Sequence, residues 1–165
     1  MRYALAQINT RVGDVARNVA SVESALRQAE SMRADVVVFP ELTVPGYPPN
    51  DMLRHLSLVR ENIEGVKAIA EATRDMDLQV LVGFVDINRD AFGKPLLNAM
   101  AQIHRGELVD IFYKTLLPNY DVFDELRYFK ANDLPRVGSF ADGKRFGPLL
   151  CEDLWYETRQ GGSYL

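Results

Sequence analysis

The chain has 165 residues, of which 47% are hydrophobic and 25% are charged, a composition typical of a folded globular domain and not of a disordered segment. Its formal net charge of −4 and its pI near 5.2 argue against a general electrostatic affinity for nucleic acid or anionic lipid. The single cysteine excludes an intrachain disulfide, and one cysteine with two histidines excludes a zinc site built from Cys and His alone.

The sequence shows neither a membrane-spanning segment nor a secretion signal. Its richest apolar run, Leu78 to Val85, has the length of a strand, whereas a spanning helix needs roughly 20 apolar residues. The apolar stretch at the N-terminus is short and is interrupted by Gln7 and Asn9, unlike the core of a signal peptide. These features predict a cytoplasmic protein with no nucleic-acid or membrane partner.

The first half of the chain alternates predicted strands with predicted helices. Short apolar runs predict strands at Tyr3–Ile8, Val36–Phe39 and Leu78–Val85. Apolar residues with helical spacing lie between them, and Asp14 is the expected N-cap of the first helix. The two apolar stripes are Val15, Val19, Val22, Leu26 and Ala29, and Leu56, Val59, Ile63, Val66 and Ala70.

The second half is predicted to consist mainly of strands. The predicted strands are Leu97–Ile103, Leu108–Tyr113, Val137–Phe140 and Arg145–Leu150. The dipeptide Asp142-Gly143 between the last two is typical of a β-hairpin. This order of elements predicts an α/β domain with a mixed sheet covered by helices. Nothing in the sequence indicates a domain boundary within residues 1–165.

Three of the predicted strands are followed by residues that can take part in acyl transfer, namely Glu41, Lys114 and Cys151. A thiol with a pKa of about 8.5 is mostly protonated at neutral pH, so a nucleophilic cysteine needs a base or a nearby cation. Glu41 can serve as that base, and Lys114 can stabilise the thiolate and later an oxyanion. The backbone N–H of Glu152 is a candidate second donor to the oxyanion.

Each of these residues also has a structural interpretation. A lone cysteine after apolar residues usually packs in a core, and charged residues after strands are usually solvated. The sequence of residues 138–145 nearly matches the pattern of a phosphate-binding loop. Arg145, however, stands where that pattern has a hydroxyl residue, and the segment lies between predicted strands, so we interpret it as a hairpin. His55 and His104 have no partners at suggestive spacing and are interpreted as structural.

Three blocks of sequence resemble those of the nitrilase, or carbon–nitrogen hydrolase, superfamily. They are FPEL (Phe39–Leu42), YKTLLPNYDVFDE (Tyr113–Glu125) and LLCEDLW (Leu149–Trp155). Three further signatures resemble, more narrowly, the glutaminase domain of glutamine-dependent NAD synthetases. They are GYPPND (Gly46–Asp51), LPNYDVFDELRYF (Leu117–Phe129) and CEDLW. The blocks occur in the family's order and reach residue 155, so the resemblance covers nearly the whole chain.

The resemblance implies a nitrilase-like α-β-β-α sandwich with mixed sheets and a Glu-Lys-Cys triad. In such a site Cys151 would attack the side-chain amide of glutamine, Glu41 would be the general base, and Lys114 would stabilise the tetrahedral intermediates. Glu125 matches a further carboxylate of the family, which would orient the lysine or hold the substrate amine. The positions that line the glutamine pocket in such domains match Tyr47, Tyr120, Phe123, Glu152 and Trp155.

The resemblance also implies a second, synthetase domain that uses the ammonia. There ATP, with Mg²⁺, would adenylate nicotinic acid adenine dinucleotide, and ammonia would displace AMP to form NAD; the glutaminase domain itself would need no cofactor or metal. Such glutaminase domains are longer than this chain. We therefore expect residues 1–165 to be one glutaminase domain that is incomplete at its C-terminus, with the synthetase domain absent.

Some residues depart from the family pattern. The residues after Trp155 match nothing in it, Asp121 stands where glycine is frequent, and Pro148 puts strand pairing before Cys151 in doubt.

Two other functions remain open from the sequence. The first is a stand-alone aliphatic amidase of the same superfamily, which competition between glutamine and simple amides would distinguish. The second is a catalytically silent fragment that acts as a folding or assembly module. Strands missing from the sheet would leave an apolar face open, so we expect a homo-oligomer.

Overall fold

The computed structural model describes residues 1–155, which build a mixed five-stranded sheet with helices on one face. The strands, in their order across the sheet, are Tyr3–Leu5 (β1), Val36–Val38 (β2), Gln79–Ile87 (β3), Leu96–His104 (β4) and Glu107–Tyr113 (β5). β1, β2 and β3 are parallel, whereas β4 is antiparallel to both β3 and β5. The predicted α/β class with a mixed sheet is confirmed.

Two helices cover one face of this sheet: Val15–Ser31 (α1) and Leu56–Ala72 (α2). The Asp14 side chain accepts a hydrogen bond from the Arg17 N–H at 3.2 Å, so the predicted N-cap of α1 is confirmed. The predicted stripe of α1 packs against the sheet in the main core, together with Val66 and Ala70 of α2, and burial of this apolar surface holds the two layers together. Val59 and Ile63 pack in a second apolar cluster, whereas Leu56, the first residue of α2, is 67% exposed, so its place in the predicted stripe is wrong. Within residues 1–155, no helix combines the length and apolarity needed to cross a bilayer.

A small hairpin packs on the opposite face of the sheet. Its strands, Gly138–Ser139 (β6) and Arg145–Phe146 (β7), are antiparallel, as the sequence predicted. The rings of Phe140 and Phe146 stack with centroids 4.4 Å apart and pack against the sheet with Val36 and Leu81. The hairpin strands are, however, shorter than expected.

The prediction that Cys151 follows a strand is wrong. The expected strand Arg145–Leu150 ends at Phe146, because Gly147 follows and Pro148 has no N–H to donate to a ladder. Cys151 instead begins a short 3₁₀ helix, Cys151–Leu154.

The first strand is also shorter than predicted. It ends at Leu5, because the N–H groups of Gln7 and Ile8 bond back to carbonyls only two residues earlier in the chain. Residues 6–8 therefore leave the regular strand, although the Ala6 N–H still donates to Val38 of β2 at 2.9 Å.

The strand directions bring several polar residues to one edge of the sheet. β2, β3 and β5 all end at this edge, and the antiparallel β4 begins there. Glu41 therefore follows β2, and Lys114 follows β5, at the same edge. Asn98, near the start of β4, lies at this edge too, and its backbone carbonyl accepts a hydrogen bond from the backbone N–H of Lys114 at 2.9 Å.

Candidate active site

A buried ion-pair cluster, formed by Glu41, Lys114 and Glu125, lies at this edge of the sheet. Lys114 Nζ is 2.7 Å from Glu41 Oε1 and 2.9 Å from Glu125 Oε1. The Lys114 side chain is 0% exposed, and those of Glu41 and Glu125 are only 14% and 4% exposed. Two carboxylates therefore share one ammonium group away from solvent. Three residues that the sequence placed in the site are thus brought into direct contact.

Burial and charge act in opposite directions on the groups of this cluster. Burial alone would lower the pKa of Lys114, but the charges and hydrogen bonds of Glu41 and Glu125 outweigh it and raise that pKa. For Glu125 burial dominates and raises the pKa, although the Lys114 ammonium opposes the change. Lys114 therefore stays charged. Its ammonium has three N–H donors, of which two bind these carboxylates, so a third is left for another acceptor.

Cys151 lies beside the cluster in an exposed position. Its φ of +49° is in the left-handed region, which residues other than glycine seldom adopt. Partial burial of the sulfur raises the pKa of the thiol, as do the charges of Glu41 and Glu125, while the Lys114 charge lowers it. The thiol is therefore protonated at neutral pH, and Glu41 is placed to accept its proton.

Asp153 links the cysteine segment to the lysine segment. Its Oδ1 accepts the backbone N–H groups of Thr115 and Leu116 at 3.1 and 2.7 Å, and its Oδ2 accepts that of Leu150 at 3.1 Å. The last of these bonds caps the short helix at Cys151. One carboxylate therefore ties the residue before Cys151 to the two residues after Lys114.

The turn that carries Glu41 is strained and tightly packed. Leu42, the next residue, has a φ of +48°, and its side chain is 1% exposed in a cluster with Leu53 and Val59. The Thr43 hydroxyl donates to the carbonyl of Pro40 at 2.5 Å across the same turn. Such backbone conformations persist only where packing holds them in place, and they concentrate at functional sites.

Gly83 of β3 lies directly against this turn. A Cβ added at Gly83 would collide with the backbone N of Leu42 and would lie 2.7 Å from the backbone O of Pro40. We expect Gly83→Ala to displace Glu41, to lower the free energy of unfolding by about 1–3 kcal/mol and to reduce activity. Urea denaturation measures the stability change. Gly147→Ala is the control, because an added Cβ there meets nothing within 4 Å; equal stabilities of the two variants would contradict the prediction.

Among the predicted pocket residues, Tyr47 lies within the electrostatic influence of the cluster. Burial raises the pKa of its phenol, and the negative charges of Glu125, Glu41 and Cys151 raise it further. Its loop is joined to the Glu125 segment through Asp51, which accepts a hydrogen bond from the Tyr128 hydroxyl at 2.8 Å. The structure therefore brings Tyr47 to the candidate site.

Three of the other predicted pocket residues, Tyr120, Phe123 and Glu152, form a group through contacts of Tyr120. The Tyr120 hydroxyl donates to Glu152 Oε2 at 2.8 Å, and its ring makes an edge contact with Phe123 at 5.4 Å between centroids. Trp155 is 70% exposed, so the described residues leave most of its indole uncovered. The roles of these four residues in binding remain predictions.

Sequence reasoning missed Asn98 and the bridging role of Asp153. Asn98 Nδ2 lies 2.8 Å from Glu41 Oε1, inside the ion-pair cluster. A signal for Asn98 does exist, since it is an amide near the start of an otherwise mostly apolar predicted strand. Asp153 lies within the CEDLW block, but only its possible capping of a helix could be read from the sequence.

Comparison with known proteins gives the family. Residues 2–159 match the family profile described as carbon-nitrogen hydrolase. The chain belongs to the carbon–nitrogen hydrolase family. Its relatives include two glutamine-dependent NAD(+) synthetases, from Thermotoga maritima and Aquifex aeolicus, which are 40% and 37% identical to it. The matches cover 99% and 94% of this carbon–nitrogen hydrolase but 27% and 26% of the two relatives, so the chain spans about a quarter of their length.

Solved structures show the same relationship. The glutamine-dependent NAD+ synthetase of Acinetobacter baumannii, in complex with ADP, matches this carbon–nitrogen hydrolase with a TM-score of 0.83 and 35% identity, over 93% of this chain and 28% of that chain. An amidase from Nesterenkonia sp. matches with a TM-score of 0.78 and 22% identity, over 94% of this chain and 57% of its own. The amidase is described as a member of the nitrilase superfamily. At 22% identity, the match supports a shared fold alone. The expected nitrilase-like fold is confirmed.

Proposed function

We propose that this chain is the glutaminase part of a glutamine-dependent NAD synthetase, and that it releases ammonia from the side-chain amide of glutamine. The observation that carries the proposal is the meeting of a carboxylate, a buried ammonium and an exposed thiol at one edge of the sheet. Glutamine as the substrate is supported by relatives described as glutamine-dependent NAD(+) synthetases, one of which matches 99% of the chain.

The first half of the proposed reaction forms a thioester. Cys151 Sγ attacks the amide carbon of glutamine while its proton moves to Glu41, the base that the thiol needs at neutral pH. The carbonyl oxygen becomes an oxyanion, which accepts the remaining N–H of Lys114. When the intermediate collapses, the carbon–nitrogen bond breaks, Glu41 returns its proton to the leaving nitrogen, and ammonia departs.

The second half hydrolyses the thioester. A water molecule gives a proton to Glu41 as its oxygen attacks the thioester carbon, and Lys114 again stabilises the oxyanion. The carbon–sulfur bond then breaks, glutamate leaves, and the sulfur recovers the proton from Glu41. Glu125 keeps Lys114 in place through the bond of 2.9 Å and balances its charge throughout. The net reaction converts glutamine and water into glutamate and ammonia.

The remaining parts of the proposal concern substrate binding and the use of the ammonia. Tyr47, Tyr120, Phe123, Glu152 and Trp155 would line the glutamine pocket. Residues 1–165 would belong to a single domain that needs no cofactor or metal of its own. Ammonia would serve a synthetase domain, where ATP and Mg²⁺ support NAD formation.

The proposal is tested by labelling with 6-diazo-5-oxonorleucine, a glutamine analogue that alkylates nucleophilic thiols. Intact mass spectrometry should show one adduct, which glutamine prevents, and the site is unambiguous because the chain has one cysteine. Ammonia release from glutamine is measured in parallel with the full-length Thermotoga maritima relative as a positive control. Cys151→Ala should abolish both labelling and ammonia release.

Other outcomes of this experiment would contradict the proposal. Protection by simple aliphatic amides but not by glutamine would favour a stand-alone amidase. A folded chain in which iodoacetamide modifies Cys151, but the glutamine analogue does not, would favour a catalytically silent assembly module.

A further inference from the structure

Asn98 contacts every member of the ion-pair cluster. It lies near the start of β4 and is 1% exposed. Its Nδ2 is 2.8 Å from Glu41 Oε1 and 3.5 Å from Glu125 Oε2, so the amide lies between the two carboxylates. Its backbone carbonyl accepts the N–H of Lys114 at 2.9 Å.

We infer that Asn98 is a positioning residue, which holds Glu41 so that its Oε2 faces the Cys151 thiol; the inference rests on the proposed role of Glu41 as the base. Oε1 of Glu41 already accepts hydrogen bonds from Lys114 at 2.7 Å and from Asn98 at 2.8 Å. A carboxylate oxygen offers about two lone-pair directions, so Oε1 is occupied and Oε2 is left for the thiol proton.

Lys114 alone would not hold the Glu41 carboxylate in one orientation. The terminal torsion of a glutamate is broad and two-fold, so a single donor leaves the carboxylate free to turn. The second donor, on Asn98, is carried by β4, an inner strand of the sheet. It therefore belongs to a different element from Lys114, which follows β5. Two donors on one oxygen therefore define which oxygen faces the sulfur.

The amide orientation of Asn98 follows from the charges around it. Carboxylates only accept hydrogen bonds, so the NH₂ group of Asn98 must face them. Its Oδ1 is consequently buried without a hydrogen-bond partner within residues 1–155. An unpaired buried acceptor is destabilising, and strand stability alone does not account for an amide at this position. The contacts of Asn98 with the two carboxylates account for it.

β4 carries a second buried amide that serves as a matched comparison. Gln102, also 1% exposed, lies on the same face of the strand as Asn98. Its Nε2 donates to the Ser139 carbonyl at 2.9 Å and so holds the β6–β7 hairpin on the sheet. Replacement of either amide removes a buried hydrogen bond from β4, but only Asn98 contacts Glu41.

The test is the rate at which iodoacetamide alkylates Cys151 as a function of pH, followed by intact mass spectrometry. In Asn98→Leu the Glu41 carboxylate should face the thiol less often, and the negative charge of Glu41 is among the causes that raise the pKa of Cys151. Alkylation near neutral pH should therefore become about threefold faster, because a lower thiol pKa leaves more of the sulfur as thiolate. At the same time kcat for glutamine should fall with little change in KM.

The controls separate positioning from folding. Gln102→Leu should keep the wild-type pH profile of alkylation, and Asn98→Ser is the second variant if leucine impairs folding, which circular dichroism reports. The charged and titratable groups that face Asn98 and the thiol are the same in the wild type and in both Asn98 variants; they are Glu41, Lys114, Glu125, Tyr47 and Tyr120.

A folded Asn98 variant with the wild-type alkylation profile overturns the inference. If the wild-type chain does not hydrolyse glutamine, the proposed function fails, but the alkylation comparison still decides whether Asn98 positions Glu41.

Discussion

Lys114→Met is expected to abolish glutamine hydrolysis and to lower the free energy of unfolding by about 3–5 kcal/mol. Within residues 1–155, Lys114 is the one cation bonded to both Glu41 and Glu125, and its side chain is 0% exposed. Methionine fills a similar volume but leaves two carboxylates buried and uncompensated. Loss of the oxyanion donor alone would lower kcat by on the order of 10²–10³-fold. Urea denaturation and an ammonia-release assay measure the two effects.

The stability loss in this variant should depend on pH with a definite sign. Burial already raises the pKa of Glu125, and Lys114 opposes that change, so removing Lys114 raises the pKa further. A carboxyl group whose pKa is higher in the folded state favours folding at low pH, and that contribution is lost as pH rises through the folded-state pKa. Lys114→Met should therefore be less destabilised at about pH 5 than at about pH 8.

Lys130→Met is the matched control for Lys114→Met. Lys130 pairs with Asp90 at 2.6 Å on the surface, where Asp90 is 67% exposed. Its loss should change the free energy of unfolding far less than the loss of Lys114 does, because solvent screens an exposed ion pair. Adding Glu125→Gln to Lys114→Met removes one buried charge and should recover part of the stability without restoring activity. If Lys114→Met were no less stable than Lys130→Met, the cluster would not contribute to folding as described.

Glu41→Gln is expected to change catalysis and thiol reactivity in opposite directions. Removing the proposed general base should lower kcat/KM by about 10²–10⁴-fold. After burial, the Glu41 charge is the next cause that raises the pKa of Cys151, so without it the pKa of the thiol falls. More of the sulfur is then thiolate at neutral pH, and iodoacetamide should alkylate Cys151 faster than in the wild type. The pH dependence of alkylation and the ammonia-release assay together check this prediction.

Glu64→Gln is a suitable control for that experiment. Glu64 lies on α2, is 67% exposed and pairs with Lys67 at 2.7 Å, and it is not among the residues that bond to Glu41, Lys114 or Glu125 within residues 1–155. Neither assay should change in this variant. A Glu41→Gln protein in which activity and alkylation both decrease would show that Glu41 supports the fold of the site and does not control the thiol.

Local sequence patterns were sufficient to predict most of the helices and strands. The apolar stripe after Asp14 predicted α1 because its period and N-cap are properties of neighbouring residues. The strand boundaries were less accurate, since the end of a strand depends on its partner. The expected strand from Arg145 ends at Phe146, where Gly147 and Pro148 stop the pairing.

The sequence by itself determined which residues could carry the chemistry, because Glu41 and Lys114 each follow an apolar run and Cys151 is the one thiol in the chain. The contacts among them were decided only by the tertiary structure. Asn98 lies 57 positions from Glu41 in the chain, and Lys114 lies 73 positions from it, yet both donate to the same oxygen. The physical reason is that hydrogen bonds form over about 3 Å, and only strand order and register bring such distant residues that close.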